Sequence, residues 1–357
     1  MSLFKKRSAA DLVGSSLDRM AWRRFRRNPL SVASLVVIGL FALVALLGYL
    51  ITPDPTPYCN QQYLELATRK PGSKGTFLHT NIQGPLRRNM VKGVPLPYTA
   101  TPIYKYEYIG DSLTAYPYNG EPLVVHRDEA RIEQRTFLLG TDAYGRDVLS
   151  MMMIGSRVSL SVGFIAIAIA LLIGITLGAL AAYHGGWVDN LILWFINVVW
   201  SIPTVLLVIA ITFALGKGFW QIFVAVGLTM WVDIARVVRG EVLSIKEKEY
   251  IEATRALGYS TFRTIFRHIL PNCLGAVVVV AASNFASAIL LEAGLSFLGI
   301  GVQPPMPSWG MMVKDNYGYL LLDSAYLALL PGLAIMLIVL AFMLLANGLR
   351  DALDVKR

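Results

Sequence analysis

A chain of 357 residues that is 55% hydrophobic and only 15% charged, with mean hydropathy +0.55, departs from soluble domains, where about a quarter of residues are charged. This excludes an ordinary water-soluble enzyme and points to a polytopic helical membrane protein, a class whose spans use Gly freely; 30 are present here. The net charge of +9 does not indicate a nucleic-acid partner, because the basic residues gather beside apolar runs.

Taken in chain order, residues 1–30 form a basic segment with Lys5, Lys6, Arg7, Arg19, Arg23, Arg24, Arg26 and Arg27, the pattern expected on the cytoplasmic side. Six segments approach the roughly 20 apolar residues that a spanning helix needs: 31–51, 158–183, 191–215, 219–235, 274–297 and 325–346. The first is too long for a signal-peptide core of about 7 to 15 residues and reads as an uncleaved span. Seven basic residues between Arg236 and Cys273 share the cytoplasmic side, as do Arg350, Lys356 and Arg357, whereas the outer turns hold only Lys217 and Lys314. Six spans then leave both termini in the cytoplasm. The predicted plan is a cytoplasmic segment 1–30, a first span 31–51, an extracytoplasmic insertion and lead-in 52–157, a core 158–346 with a cytoplasmic loop 236–273, and a tail 347–357.

The insertion is rich in Pro, Tyr and Gly, and Gly84-Pro85, Val94-Pro95 and Leu96-Pro97 predict turns and short extended pieces. Residues 52–136 hold eight of the 16 tyrosines, a residue suited to protein contacts and to membrane interfaces. Cys59 and Cys273 are expected on opposite sides and so cannot pair. His79, His126, His184 and His268 are too scattered to predict a metal site.

Within the spans, Gly174 and Gly178 form a GxxxG pair, expected to serve packing within the chain before contact with a partner. Pro203 predicts a static kink in the third span. Asp233 reads as part of an inner-surface ion-pair cluster with Arg236 and Arg239. Glu292 stands 21 residues beyond Pro271, about 30 Å along a helix, so it is expected near the outer face as a structural anchor or gate residue and not as a proton carrier.

The polar loop 236–273 is patterned for helix. Ser244-Ile245-Lys246-Glu247 has the spacing of a capping box that starts a helix, and Tyr250, Ala253, Thr254 and Leu257 make one weakly apolar face. Gly258 is placed to end that helix and Ser260 to cap a second, with Phe262, Ile265, Phe266 and Ile269 as its apolar stripe and Pro271 at the return to the membrane. Such a hairpin suits either docking of a cytoplasmic partner or residence on lipid headgroups.

The run Tyr250 to Gly258, followed by Arg267-His268-Ile269-Leu270-Pro271-Asn272, resembles the Glu-Ala-Ala (EAA) loop of binding-protein-dependent ABC importer permeases. Glu252, Ala253, Gly258, Leu270 and Pro271 fall in register; Thr254 replaces the second Ala and His268 an Ile. Arg23 to Leu35, Leu139 to Val148, and Glu292 through Ser308-Trp309-Gly310 resemble the C-type subunits of the dipeptide, oligopeptide and nickel branch. The resemblance implies an all-α polytopic fold with six transmembrane helices, the type I (MetI-like) importer permease fold, carrying an extracytoplasmic insertion after helix 1.

It further implies a subunit of the bacterial cytoplasmic (inner) membrane that pairs with a homologous B-type permease, two cytoplasmic ABC ATPases and an extracytoplasmic substrate-binding protein. Peptide would be the cargo, with nickel or another small solute as the alternative. Glu252, Ala253, Thr254, Ala256, Leu257, Gly258 and Pro271 would make the ATPase-coupling element, and the insertion would contact the binding protein or cover the outer vestibule. No Walker A, GxGxxG or HExxH motif occurs, so the chain is expected to be no enzyme and to bind no cofactor, ATP and Mg residing on the partner ATPases. A secondary transporter would show paired intramembrane acids or internal repeats, and a membrane enzyme a nucleophile-base pair or metal motif; neither is evident. A non-ABC membrane scaffold remains the reading from another class.

Overall fold

Hydrocarbon offers a backbone amide no partner, so apolar runs of this length satisfy their hydrogen bonds internally as helices. The computed structural model describes residues 17–216 and 218–353. Lys5, Lys6, Arg7, Lys217, Lys356 and Arg357, counted above toward orientation, lie outside the described residues.

A short basic helix α1 (Leu17–Arg27) leads into α2 (Pro29–Ile51), whose start is capped by Asn28: its Oδ1 accepts from the amides of Leu30 and Ser31 at 3.0 and 3.4 Å. Beyond the insertion follow α3 (Val148–His184), α4 (Gly186–Trp200), α5 (Thr204–Leu215), α6 (Phe219–Lys246) and α7 (Glu249–Ala256). Next come α8 (Thr261–Thr264), α9 (Leu270–Phe297), α10 (Trp309–Asn316) and α11 (Tyr326–Leu353). Among the described residues five helices are long and apolar enough to cross a membrane, six if α4 and α5 count as one span.

Three expectations change. α3 begins ten residues earlier than the second span was placed, because Asp147 caps it by accepting from the Ser150 amide at 2.8 Å; residues 148–157 belong to this helix and not to a lead-in. The third span is not kinked but broken, with α4 and α5 meeting at 92°. Pro203 has no N–H to continue the helix and itself takes a non-helical ψ of 124°, so the chain closes one helix at Ser201 and opens another at Thr204. The expected capping box at Ser244 is absent too: α6 runs through to Lys246, because Val238, Val242 and Ile245 continue its buried stripe well past residue 235.

The tightest helix pair is α3 with α6. A Cβ at Gly174 would stand 2.8 Å from the Trp231 carbonyl oxygen, and one at Gly178 2.5 Å from that of Ala235, so the GxxxG pair is used within the chain. At the same end Lys246 Nζ donates to the Tyr183 carbonyl at 2.7 Å, and Arg239 grips Asp189 of α4 through Nε and Nη2 at 2.7 and 2.6 Å. The ion pair expected for Asp233 therefore forms elsewhere; Arg236 instead lays its guanidinium over the Trp200 ring at 4.1 Å.

The short extended pieces of the insertion form an antiparallel sheet of β1 (Ser73–Thr80), β2 (Thr99–Ile109), β3 (Ser112–Pro117), β4 (Leu123–His126) and β5 (Arg131–Phe137), ordered β4-β3-β2-β1-β5. Neighbouring Phe77 and Leu78 point to opposite faces: Phe77 packs with Tyr63, Leu66 and Phe137, Leu78 with Ile103, Leu113 and Ala115. The sheet is tied to the helices through Thr141, which accepts from the Arg69 amide at 2.9 Å, through Tyr326, whose hydroxyl donates to the Arg69 carbonyl at 2.7 Å, and through a buried Asp142–Arg146 pair at 2.6 Å.

Glu292 is fully buried toward the end of α9. Ser159 of α3 donates to its Oε2 at 3.1 Å and Ser296 to its Oε1 at 2.8 Å, while Ser296 Oγ also accepts from the Val302 amide at 3.2 Å. Gly310 of α10 sits against this knot, where a Cβ would stand 2.5 Å from the Ala293 carbonyl oxygen, and Trp309 Nε1 donates to Met152 of α3 at 3.0 Å.

Gly178→Leu, which forces α3 off α6, should cost about 1–3 kcal/mol in thermal unfolding of the detergent-solubilised protein, whereas Gly240→Ala, with nothing within 4 Å, should be neutral. In the same assay Glu292→Gln, which keeps a partner for both serine hydroxyls, should cost under about 1 kcal/mol, and Glu292→Ala, which leaves those hydroxyls unpaired beside a void, about 2–4 kcal/mol.

Candidate coupling surface

Beyond α6 the chain turns once, with the Lys248 amide donating to the Ile245 carbonyl at 3.1 Å, and enters the two turns of α7. Ile251 is fully buried and Thr254 nearly so, its hydroxyl donating to the Ile251 carbonyl at 2.7 Å; these two seat the helix on the core. Glu252, Ala253, Ala256 and Leu257 stay exposed, Leu257 to 71% and Tyr250 to 43%. The face expected to be apolar is thus split: Thr254 points inward, while Tyr250, Ala253 and Leu257 form an outward stripe with Glu252 at its flank.

Gly258 ends α7 at φ +74°, a left-handed conformation that a side chain would strain. The Tyr259 amide then reaches back to the Thr254 carbonyl at 3.1 Å, completing a Schellman stop. Ser260 caps the second helix, accepting from the Arg263 amide at 3.4 Å, and the Arg263 guanidinium covers the Tyr259 ring at 4.2 Å. Of the predicted apolar stripe, Ile265 and Ile269 are buried, while Phe262 and Phe266 form a tilted pair with centroids 4.3 Å apart and remain 69% and 56% exposed. That aromatic pair extends the outward face of α7, and its partition from the two isoleucines is not visible in their shared spacing.

Pro271 does not break the chain at the membrane. A π turn at Ile265–Ile269, in which the Leu270 amide donates to the Ile265 carbonyl, widens the helix just before it. A proline ring would otherwise collide with the carbonyl four residues back. As a result residues 261–297 form a single 37-residue helix running from the exposed hairpin through the fifth span. Pro271 itself lines a cavity of about 670 Å³ together with Arg24, Glu241 and Arg350.

The predicted residues thus divide. Glu252, Ala253, Ala256, Leu257 and Gly258 share one exposed patch, Thr254 supports it from below, Pro271 lies on the far side of the π turn, and Glu292 is near the other end of the same long helix. An outward stripe of Leu, Tyr and paired Phe beside a carboxylate is chemically suited to insertion into a cleft on a protein partner.

Comparison with known proteins matches residues 174–357, just over half of the chain, to the model of the binding-protein-dependent transport system inner membrane component family. Residues 16–71 match the N-terminal transmembrane domain of oligopeptide transport permease C. The glutathione transport system permease protein GsiD of Pectobacterium atrosepticum is 42% identical over 218 residues, 61% of this chain and 72% of that protein. The dipeptide transport system permease protein DppC of Alkalihalophilus pseudofirmus is 43% identical over 217 residues, 61% of this chain and 71% of the relative. The oligopeptide transport system permease protein OppC of Bacillus subtilis is 38% identical over the same coverage. A solved structure of inward facing conformations of the MetNI methionine ABC transporter aligns with a TM-score of 0.47 at 21% identity, over 58% of this chain and 97% of that one. A match of this extent makes the chain a member of the binding-protein-dependent transport system inner membrane component family, a multi-pass permease subunit.

Proposed function

We propose that this chain is one transmembrane half of an ATP-driven peptide importer, pairing with a homologous B-type permease above two cytoplasmic ABC ATPases and receiving its cargo from an extracytoplasmic binding protein. The observation that carries the coupling role is the exposed face of α7, where Tyr250, Glu252, Ala253 and Leu257 project beside the Phe262–Phe266 pair on a hairpin that no other described element covers. Peptide as cargo is supported by relatives named for dipeptide, oligopeptide and glutathione transport; none of these names favours nickel.

In this reading ATP and Mg belong to the partner ATPases, and the work reaches this chain mechanically. Closure of the ATPases moves the hairpin, and because the fifth span is continuous with α8, the motion enters the membrane without a hinge at Pro271. The basic N-terminal segment and loop 236–273 lie in the cytoplasm, in contact with membrane lipid, and the five-stranded sheet stands outside, where its exposed Tyr104, Tyr106 and Tyr108 are available to the binding protein.

Co-purification of the tagged chain from native membranes tests the assignment: wild type should bring down two ATPases and a second permease. Leu257→Asp with Phe262→Asp, both at exposed positions and so compatible with folding, should release the ATPases while retaining the second permease. Absence of ATPase from the wild-type preparation would overturn the coupling role. Gly258→Ala should weaken ATPase retention less, in line with a backbone strain of about 1 kcal/mol at a left-handed position.

A further inference from the structure

Of the three carboxylates on α6 and α9, Glu241 lines the cavity beside Pro271 with Arg24 and Arg350, and the other two differ sharply. Glu292 is sealed and saturated by serine hydroxyls. Asp233 stands fourteen residues after Phe219, about 21 Å along α6 and near its middle, and is exposed. Among the described residues its carboxylate has no hydrogen bond or ion pair: Arg239 is committed to Asp189, and Arg236, the charge acting on it, is turned onto Trp200.

What Asp233 faces is a cavity of about 480 Å³, lined from three sides. Thr229 and Asp233 come from α6; Asn284, Ser287 and Gly294 come from α9; Ile202 and Thr204 come from the 92° break between α4 and α5. Irregular backbone at membrane depth persists only where protein buries it or water reaches it, and an ionisable side chain there marks a polar path. The level is set by a contact: Asn284 Nδ2 donates to the Met230 carbonyl at 3.3 Å, joining the middles of α6 and α9 immediately beside the acid. An unpaired carboxylate with hydroxyls and an amide around it, walled by Val232, Leu290 and Leu291, is built to receive a cation that sheds part of its water, and the size admits an ammonium group with its first carbons.

We propose that Asp233 and this cavity form a cation subsite inside the span, which takes the primary ammonium group of a passing cargo molecule. The subsite deepens the importer reading, which supplies the source of the ammonium: the free amino end of a peptide or a lysine side chain.

A cysteine reporter in the cavity, Ser287→Cys, tests the subsite without reference to cargo. The native Cys59 and Cys273 are both fully buried, and burial together with the Asp54 charge pushes the Cys59 thiol up, so background labelling of this chain is low. In the complete transporter in proteoliposomes, the rate ratio of cationic aminoethyl to anionic sulfonatoethyl methanethiosulfonate at the reporter should exceed their ratio on a free thiol about tenfold, and Asp233→Asn should return it to the free-thiol ratio. No modification by either reagent, or an excess over the free-thiol ratio that survives Asp233→Asn, overturns the proposal.

The second arm measures ATP-driven uptake of a dipeptide with neutral side chains and of one containing lysine. Asp233→Asn should slow uptake of at least one of them about tenfold, with ATP hydrolysis unchanged and with recovery in Asp233→Glu; which peptide slows assigns the ammonium. Uptake of both at the wild-type rate overturns a role on the path. If wild type carries neither peptide, the peptide reading fails, while the labelling ratio still decides whether the cavity selects cations.

Discussion

Helices in lipid gain nothing from hiding apolar surface, so their association depends on how closely two backbones can approach. In this chain that condition is met along α3, where Gly163, Gly174 and Gly178 admit Phe285, Ile234 and the Ala235 carbonyl against the bare backbone. Gly227 of α6 does the reverse, receiving Ile169 and the Ala166 carbonyl of α3. The remaining ties presuppose this contact: Lys246 reaches the end of α3, Arg239 reaches Asp189 just beyond it, and Ser159 reaches Glu292 because the helices already lie within a side chain's length. α3 is the column on which both α6 and α9 are hung.

Polar groups are distributed around that column by task. The enclosed charged groups Glu292, Asp142 and Arg146 are held by partners within the chain. Three open groupings stand apart from these: the tyrosine-bearing sheet, the cavity at Asp233, and the hairpin of α7 and α8. In the proposed importer these three would face, respectively, the outside, the interior of the membrane domain and the cytoplasm.

The spans were legible because transfer of a long apolar run into lipid outweighs any local signal, and Gly258 was legible because only a residue without Cβ stops a helix so cheaply. Ser244 was misleading for the complementary reason: a capping motif acts only if the helix must begin there, and the buried run Val238, Val242 and Ile245 decided that it must not. Placing the end of the fourth span at residue 235 also drew Asp233 toward the wrong partners, since the position of Asp189 beside Arg239 depends on where the broken helix returns. The sheet could not be read strand by strand, because Pro102 lies inside β2, Pro117 closes β3, and the alternation is sensed only once both faces are filled.

The 37-residue helix that carries the hairpin has a mechanical consequence. It is about 55 Å long, so a tilt of about 10° around its midpoint displaces each end by about 5 Å in opposite directions. One end carries Phe262, and Glu292 with Ser296 lies near the other. A helix interrupted at Pro271 would absorb such a tilt locally; the π turn keeps it continuous, so in the proposed importer a sideways shift of the hairpin would be returned at the far end as a shift in the opposite direction.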